Sequence, residues 1–268
     1  MKQINKGSIV TRKSYNCDML FYIDKIIKGS SGTSIAILKG LTNRIIADAY
    51  LNDLFIVSKK NINHYINNNI ISELSSFLFN KKNIFRLRSS ENLGKILHLD
   101  GDKRYSEKSI RYYKRRGLRA VVKNISESKQ PYIVQNLIIK YQPQILVITG
   151  HDSMLKSNRN FSDINNYRNS KYFIQTVIEA RKLIPSFEKL SIFAGACQSY
   201  FEAIISSGAN FASSPARIFI DFMDPLVVAE KIATTPQNVF ISTKDLLPVL
   251  RDGKKGIDGI GSKGKMKL

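Results

Sequence analysis

The 268-residue chain has no tryptophan, two cysteines, three histidines and no proline before Pro131. Two cysteines, Cys17 and Cys197, cannot build a disulfide framework, so a reducing compartment is expected. With three histidines and no CxxC or HExxH spacing, the chain lacks the sequence signature of a zinc site, and neither a metal nor a cofactor is expected. No Walker A motif occurs, no G-x-G-x-x-G joins a strand to a helix, and no G-x-S-x-G elbow is present. Nucleotide binding and serine hydrolase chemistry are therefore disfavoured. No apolar run approaches the roughly 18 residues that span a membrane, and the start MKQINKGSIVTRKSYN lacks the apolar stretch of a signal peptide. A soluble protein with no membrane partner is expected. Acid is also scarce: 21 Asp and Glu stand against 42 Lys and Arg, a formal charge of +21.

What is present is enough apolar material for a core. Hydrophobic residues make up 43%, with 14 Phe and 12 Tyr, which excludes wholesale disorder. The charge invites a nucleic-acid or polyanion reading, but it is unevenly placed. Residues 95–150 hold 12 basic and 4 acidic residues, net +8, whereas residues 151–252 hold 11 and 10, net +1. The densest run lies between Lys103 and Lys123. It reads either as a solvated helix face or as a docking surface for an acidic partner.

The texture of the chain divides it. Residues 1–57 contain five short apolar stretches separated by turn signals such as Lys28-Gly29-Ser30-Ser31-Gly32, which predicts a small β-barrel of the SH3 or KOW-like kind. Residues 58–94 read as a basic, Asn-rich connector. Residues 95–252 alternate apolar strands with amphipathic helices, which predicts an α/β domain with a parallel sheet covered on both faces. Within it a helix is expected from an N-cap at Ser106, and RIFIDF (217–222) is expected as a strand. Residues 253–268, rich in Gly and Lys, are expected to be a flexible basic tail.

Three predicted strands end in chemically loaded residues: Asp100-Gly101-Asp102, Gly150-His151-Asp152 and Ala196-Cys197-Gln198-Ser199. Beyond the carboxyl ends of neighbouring parallel strands, His151 and Cys197 would project into one crevice. A thiol and an imidazole there suffice for nucleophilic acyl transfer. Cys197 is also expected to open a helix, whose positive end would favour thiolate. The alternative is that Cys197 is a buried small hydrophobe and His151 a hydrogen-bonded polar residue. His64 and His98 are expected to be a surface and a strand residue, and Cys17 to be inert.

An apolar strand ending in Gly-His, followed 46 residues later by an apolar strand ending in Ala-Cys, resembles the caspase-like clan of cysteine peptidases. GSIVTRKSYN, AILKGL, RIIADA, LHLDGD, ITGHD and FAGACQSYFEAI together resemble the YabG sporulation-specific protease family of endospore-forming bacteria. That resemblance implies a caspase-like fold and a dyad of Cys197 as nucleophile and His151 as general base and acid. It implies cleavage after Arg or Lys in spore coat and cortex-associated proteins, and location in the mother-cell cytoplasm or on the spore coat. Many caspase-like peptidases carry Gly after the histidine, where this chain has Asp152; the backbone amides of Asp152 and Cys197 remain the oxyanion candidates. A basic side chain needs a carboxylate partner, and Asp100 and Asp102 are the candidates, with Asp221, Asp224 and Asp152 as alternatives. Asn80–Arg88 and the Lys-rich tail are candidate self-cleavage sites. The rival readings are a nucleic-acid or polyanion binder and a non-catalytic coat scaffold.

Overall fold

A computed structural model of the chain describes residues 3–28, 32–66, 90–155 and 160–267, which fall into two units, Met1–Lys81 and Lys82–Leu268. Asn80–Arg88 and most of the expected connector lie outside the described residues. In the first unit the five apolar stretches form β1 (Ile9–Arg12), β2 (Phe21–Lys28), β3 (Ser34–Gly40), β4 (Ile46–Tyr50) and β5 (Leu54–Ile56). They make one antiparallel sheet in the order β4-β3-β2-β1-β5. Alternate residues turn inward, with Phe21 and Ile23 on β2 and Ala36 and Leu38 on β3 buried, as the two-residue side-chain period of a strand requires.

The second unit is mixed α/β. β6 (Ile96–Asp100), β7 (Ala120–Asn124), β8 (Ile145–Thr149), β9 (Ser191–Ala194) and β10 (Phe211–Ser213) run parallel, and β12 (Ile257–Gly259) closes one edge antiparallel, in the order β12-β10-β9-β8-β6-β7. Helix α1 (Lys103–Arg115) and helix α5 (Asp224–Thr234) pack with Ile96, Ile145, Val147 and Phe193 on one face. Helices α2 (Gln130–Tyr141), α3 (Ser170–Leu183) and α4 (Phe201–Ser206) pack with Leu97, Leu99, Leu146 and Ile148 on the other. The strands read as unbroken apolar runs because both faces are covered. Consecutive strands turn from β6 outward to β7, then back past β6 to β8. The order therefore reverses between β6 and β8, and the crevice at their carboxyl ends is where an open α/β sheet places ligands. No described helix is long and apolar enough to cross a membrane.

Four expectations are corrected. The helix that carries the basic run is capped by Asp102, whose side chain accepts from the Arg104 amide, and Ser106 lies buried within it. RIFIDF forms no strand: Arg217 has φ +54°, and the alternating Ile218, Ile220 and Phe222 pack as a loop. Cys197 does not open a helix, since α4 begins at Phe201 and is six residues long, so no macrodipole acts at the thiol. The final residues are not a tail. β12 pairs with β10, and β13 (Ser262–Lys263) pairs with β11 (Phe240–Ile241). Their glycines allow close backbone approach: a Cβ at Gly264 would stand 2.2 Å from the Thr235 carbonyl oxygen. Lys265 is buried, and its ammonium donates to the Glu188 carbonyl at 2.7 Å.

On α1 the basic run is split by the helix period. Tyr105, Tyr112 and Tyr113 face the core, Lys103, Arg111, Lys114 and Arg115 face solvent, and Arg116 is bound to Glu230 of α5.

Candidate active site

β8 and β9 are hydrogen-bonded neighbours in which Ile148 lies beside Ala194. His151 and Cys197 each follow that pair by three residues, beyond the carboxyl ends of neighbouring strands about 4.8 Å apart. Both are fully buried, at 0% exposure. Asp100 lies beside Thr149 in the β6–β8 pair, which puts Asp102, two residues on, level with His151.

The imidazole of His151 sits between two carboxylates. Asp102 Oδ2 is 3.6 Å from Nε2, and Glu127 Oε1 is 3.9 Å from Nδ1. The same Glu127 oxygen accepts the His151 backbone N–H at 2.7 Å, while the Asn169 side chain donates to the His151 carbonyl at 2.6 Å. Tyr105 packs against the imidazole with ring centroids 5.7 Å apart and stacks in turn on Phe222. Glu127 follows β7 and crosses over β6 to reach His151. Its path explains two glycines: a Cβ at Gly101 would fall 2.2 Å, and one at Gly150 2.3 Å, from Glu127 Oε1. One carboxylate thus flanks each ring nitrogen of His151.

Asp152 turns its carboxylate into the protein. Oδ1 accepts from the Ser153 and Asn169 amides at 2.9 and 2.8 Å, and Oδ2 accepts from the Ser170 and Ser199 hydroxyls. Burial pushes this acid up to about 6 even though those hydrogen bonds oppose the shift. Ser199 Oγ also accepts the Ala196 amide at 2.9 Å, so Asp152 ties the histidine loop to the cysteine loop. The carboxylate that follows the histidine is thus occupied by four donors.

The cysteine loop is shaped by its backbone. Gly195 has φ +115°, and Gln198, on the other side of the thiol, has φ +56°. A Cβ at Gly195 would lie 2.7 Å from Ser213 Oγ, so only glycine fits that turn. The loop after β10 covers the thiol: the Gln198 amide donates to the Ile218 carbonyl at 3.2 Å, and Cys197 Sγ is 4.0 Å from the Ile220 carbonyl oxygen.

The acids expected at a substrate pocket fall into two groups, Asp100 and Asp102 on the histidine side and Asp221 and Asp224 in and after the covering loop. Asp100 is an internal brace, accepting from the Asp102 amide at 2.9 Å and from Thr149 Oγ1 at 3.0 Å. Asp102 faces His151. Asp221 lies in the covering loop, where its Oδ2 is 3.5 Å from Arg251 Nη1. His98 is buried between Tyr113 OH at 3.1 Å and Thr149 Oγ1 at 2.7 Å. His64 and Cys17 are exposed. Among the described residues no three His, Cys, Asp or Glu side chains converge to hold a metal. Glu127 and Ser170 escaped the sequence reading, and Ser199 appeared there only as a neighbour of Cys197. The one signal for Glu127 was a pair of glycines, each directly after a strand, that fall side by side in the β6–β8 register.

The family model described as YabG peptidase U57 matches residues 5–268. The chain is 39% identical over 282 residues to the sporulation-specific protease YabG of Bacillus subtilis (strain 168), covering 99% of this chain and 97% of the relative. No solved structure matches.

Proposed function

The chain belongs to the YabG peptidase U57 family, and from that premise we propose that it is a cysteine endopeptidase of sporulation that works through Cys197 and His151. The observation that carries this reading is that the two residues follow the carboxyl ends of neighbouring parallel strands, with the imidazole held between Asp102 and Glu127. In the reaction, His151 takes the thiol proton and Cys197 Sγ attacks the scissile carbonyl carbon. The resulting oxyanion is held by the backbone amides of Asp152 and Cys197. The C–N bond then breaks as imidazolium protonates the leaving amine, which leaves a thioester on Cys197. Water, deprotonated by His151, attacks that thioester, and the thiol takes back its proton as the acid product departs. Asp102 and Glu127 act through His151, orienting the ring and favouring its charged state.

On the same reading the second unit is a caspase-like domain covering 95–252, extended by the strands of its C-terminal residues, and the first is an SH3 or KOW-like barrel. The substrates are spore coat and cortex-associated proteins cut after Arg or Lys, in the mother cell or at the coat, and the protease can also cut itself. The test is Cys197→Ala in the full chain, assayed on peptide reporters ending in Arg, Lys or Leu. Loss of cleavage with an unchanged circular dichroism spectrum is expected, and full activity in that variant overturns the assignment.

A further inference from the structure

The loop that covers the thiol is pinned by an arginine from elsewhere in the fold. Arg251 follows the short turn Leu247–Val249. Its guanidinium donates to the Phe219 carbonyl, pairs with Asp221 Oδ2 at 3.5 Å and donates through Nε to Asp252 Oδ2 at 2.7 Å. Phe219 and Asp221 flank Ile220, the residue whose carbonyl lies 4.0 Å from Cys197 Sγ. A guanidinium is therefore held one residue to either side of the group that touches the thiol.

Behind Asp221 stands Asp224, the first residue of α5 and only 2% exposed. Its Oδ1 accepts the Arg251 amide at 3.4 Å, and its Oδ2 has no hydrogen-bond partner among the described residues. Burial, with Asp221 alongside, pushes this acid up to about 7. A buried carboxylate oxygen left unsatisfied marks a place where a donor is missing. Gly256 borders it, and even a Cβ added there would stop 3.8 Å short of that oxygen. A carbonyl and two carboxylates are the kinds of acceptor that the forked donors of a guanidinium take.

We propose that the Phe219 carbonyl, Asp221 and Asp224 form the recognition site for the basic side chain of the substrate, and that Arg251 occupies it in the closed state. Arg251 holds residues 219–221 over Cys197 until an incoming Arg or Lys takes over its partners. The Arg251 side chain is 42% exposed, so it can swing into water as the substrate cation replaces it beside Asp221, and Asp252, one residue away, travels with it. Asp224, too deep for Arg251 to satisfy fully, supplies the acceptor that distinguishes a longer-reaching substrate side chain from the resident one. The inference rests on Cys197 being the nucleophile. It adds that the residue sealing the thiol and the residue reading the substrate share one set of acceptors.

Benzamidine, a guanidinium-like cation, is the probe, titrated calorimetrically into the full-length Cys197→Ala protein so that binding is read without turnover. Adding Arg251→Gln should tighten binding about tenfold, and adding Asp221→Asn or Asp224→Asn should weaken it about tenfold or more. With Cys197 intact, Arg251→Gln should lower KM for an Arg reporter by a larger factor than for a Leu reporter, since both gain access to the thiol but only Arg gains the acceptors. Thermal melts check folding; should Arg251→Gln unfold the protein, Arg251→Lys keeps the charge and should bind benzamidine with intermediate affinity. Benzamidine binding indifferent to both aspartate variants, or weakened by Arg251→Gln, overturns the proposal. Full cleavage by Cys197→Ala would instead remove Cys197 as the nucleophile, and the benzamidine titrations, which need no turnover, would still decide the cation site.

Discussion

On the histidine side of the candidate site, charged side chains do the positioning: Asp102 and Glu127 bracket the His151 ring, and Asp152 anchors the turn behind it. On the cysteine side, backbone torsions do it. Gly195 and Gln198 both lie at positive φ, and the thiol's own neighbour in space is a main-chain carbonyl. The difference fits the chemistry proposed for each group. An imidazole must change charge during the reaction and needs groups that respond to charge, whereas a thiol needs a fixed line of approach. One side should therefore fail through electrostatics and pH, the other through conformation.

Gly150→Ala should break the histidine side most severely. Its Cβ would fall 2.3 Å from Glu127 Oε1 and 2.6 Å from Cγ, so Glu127 must leave the ring. Cleavage should fall on the order of a hundredfold or more. The pair Gly150→Ala with Glu127→Ala restores the room without the carboxylate. If steric relief alone recovers wild-type kcat, Glu127 is a spacer and the electrostatic half of the comparison fails.

Asp152→Asn addresses stability on the same side. Burial raises this acid to about 6, so the folded chain holds the proton more tightly than the unfolded chain does. The associated stability is full below about pH 4 and is lost as pH rises through 6, an effect of up to about 3 kcal/mol. Asparagine keeps the acceptor for the Ser153 and Asn169 amides but cannot titrate. Melting temperatures measured from pH 4 to pH 7 should lose that part of their downward slope in the variant. An unchanged slope would mean that Asp152 is not the titrating group.

The smallest effect is expected on the cysteine side. Gln198→Gly relieves the left-handed strain at φ +56° but loses the weak bond in which the Gln198 side chain accepts the Met154 amide at 3.3 Å. Denaturant titration should show a net change under about 1 kcal/mol, with no new dependence on pH. A pH-dependent change there would blur the division between the two sides.

Much of this was legible in the residues. The five strands of the first unit and the parallel strands of the second followed from short apolar runs between turn residues. His151 and Cys197 stood out because each ends such a run. Glu127 did not, because Ser126-Glu127-Ser128 reads as an ordinary turn and lies 24 residues from the histidine it contacts. The loop 217–222 misled for a related reason: Ile218, Ile220 and Phe222 alternate as a strand does, yet they bury against the site rather than a sheet neighbour. The C-terminal residues misled because glycine signals flexibility in sequence, whereas here it permits backbones to touch.

The sequence by itself determined the class of fold and the family and singled out His151 and Cys197 as candidates, because periodicity and strand-end chemistry are local properties of the chain. Only the tertiary structure decided which acids serve which group. Asp100, Asp102 and Asp221 look alike as carboxylates near strand ends. The reversal of strand order between β6 and β8 sets Asp102 on the imidazole, turns Asp100 into a brace and leaves Asp221 beside Arg251. A carboxylate's role depends on which donor lies within a few ångströms, and that distance is fixed by strand order and register rather than by position along the chain.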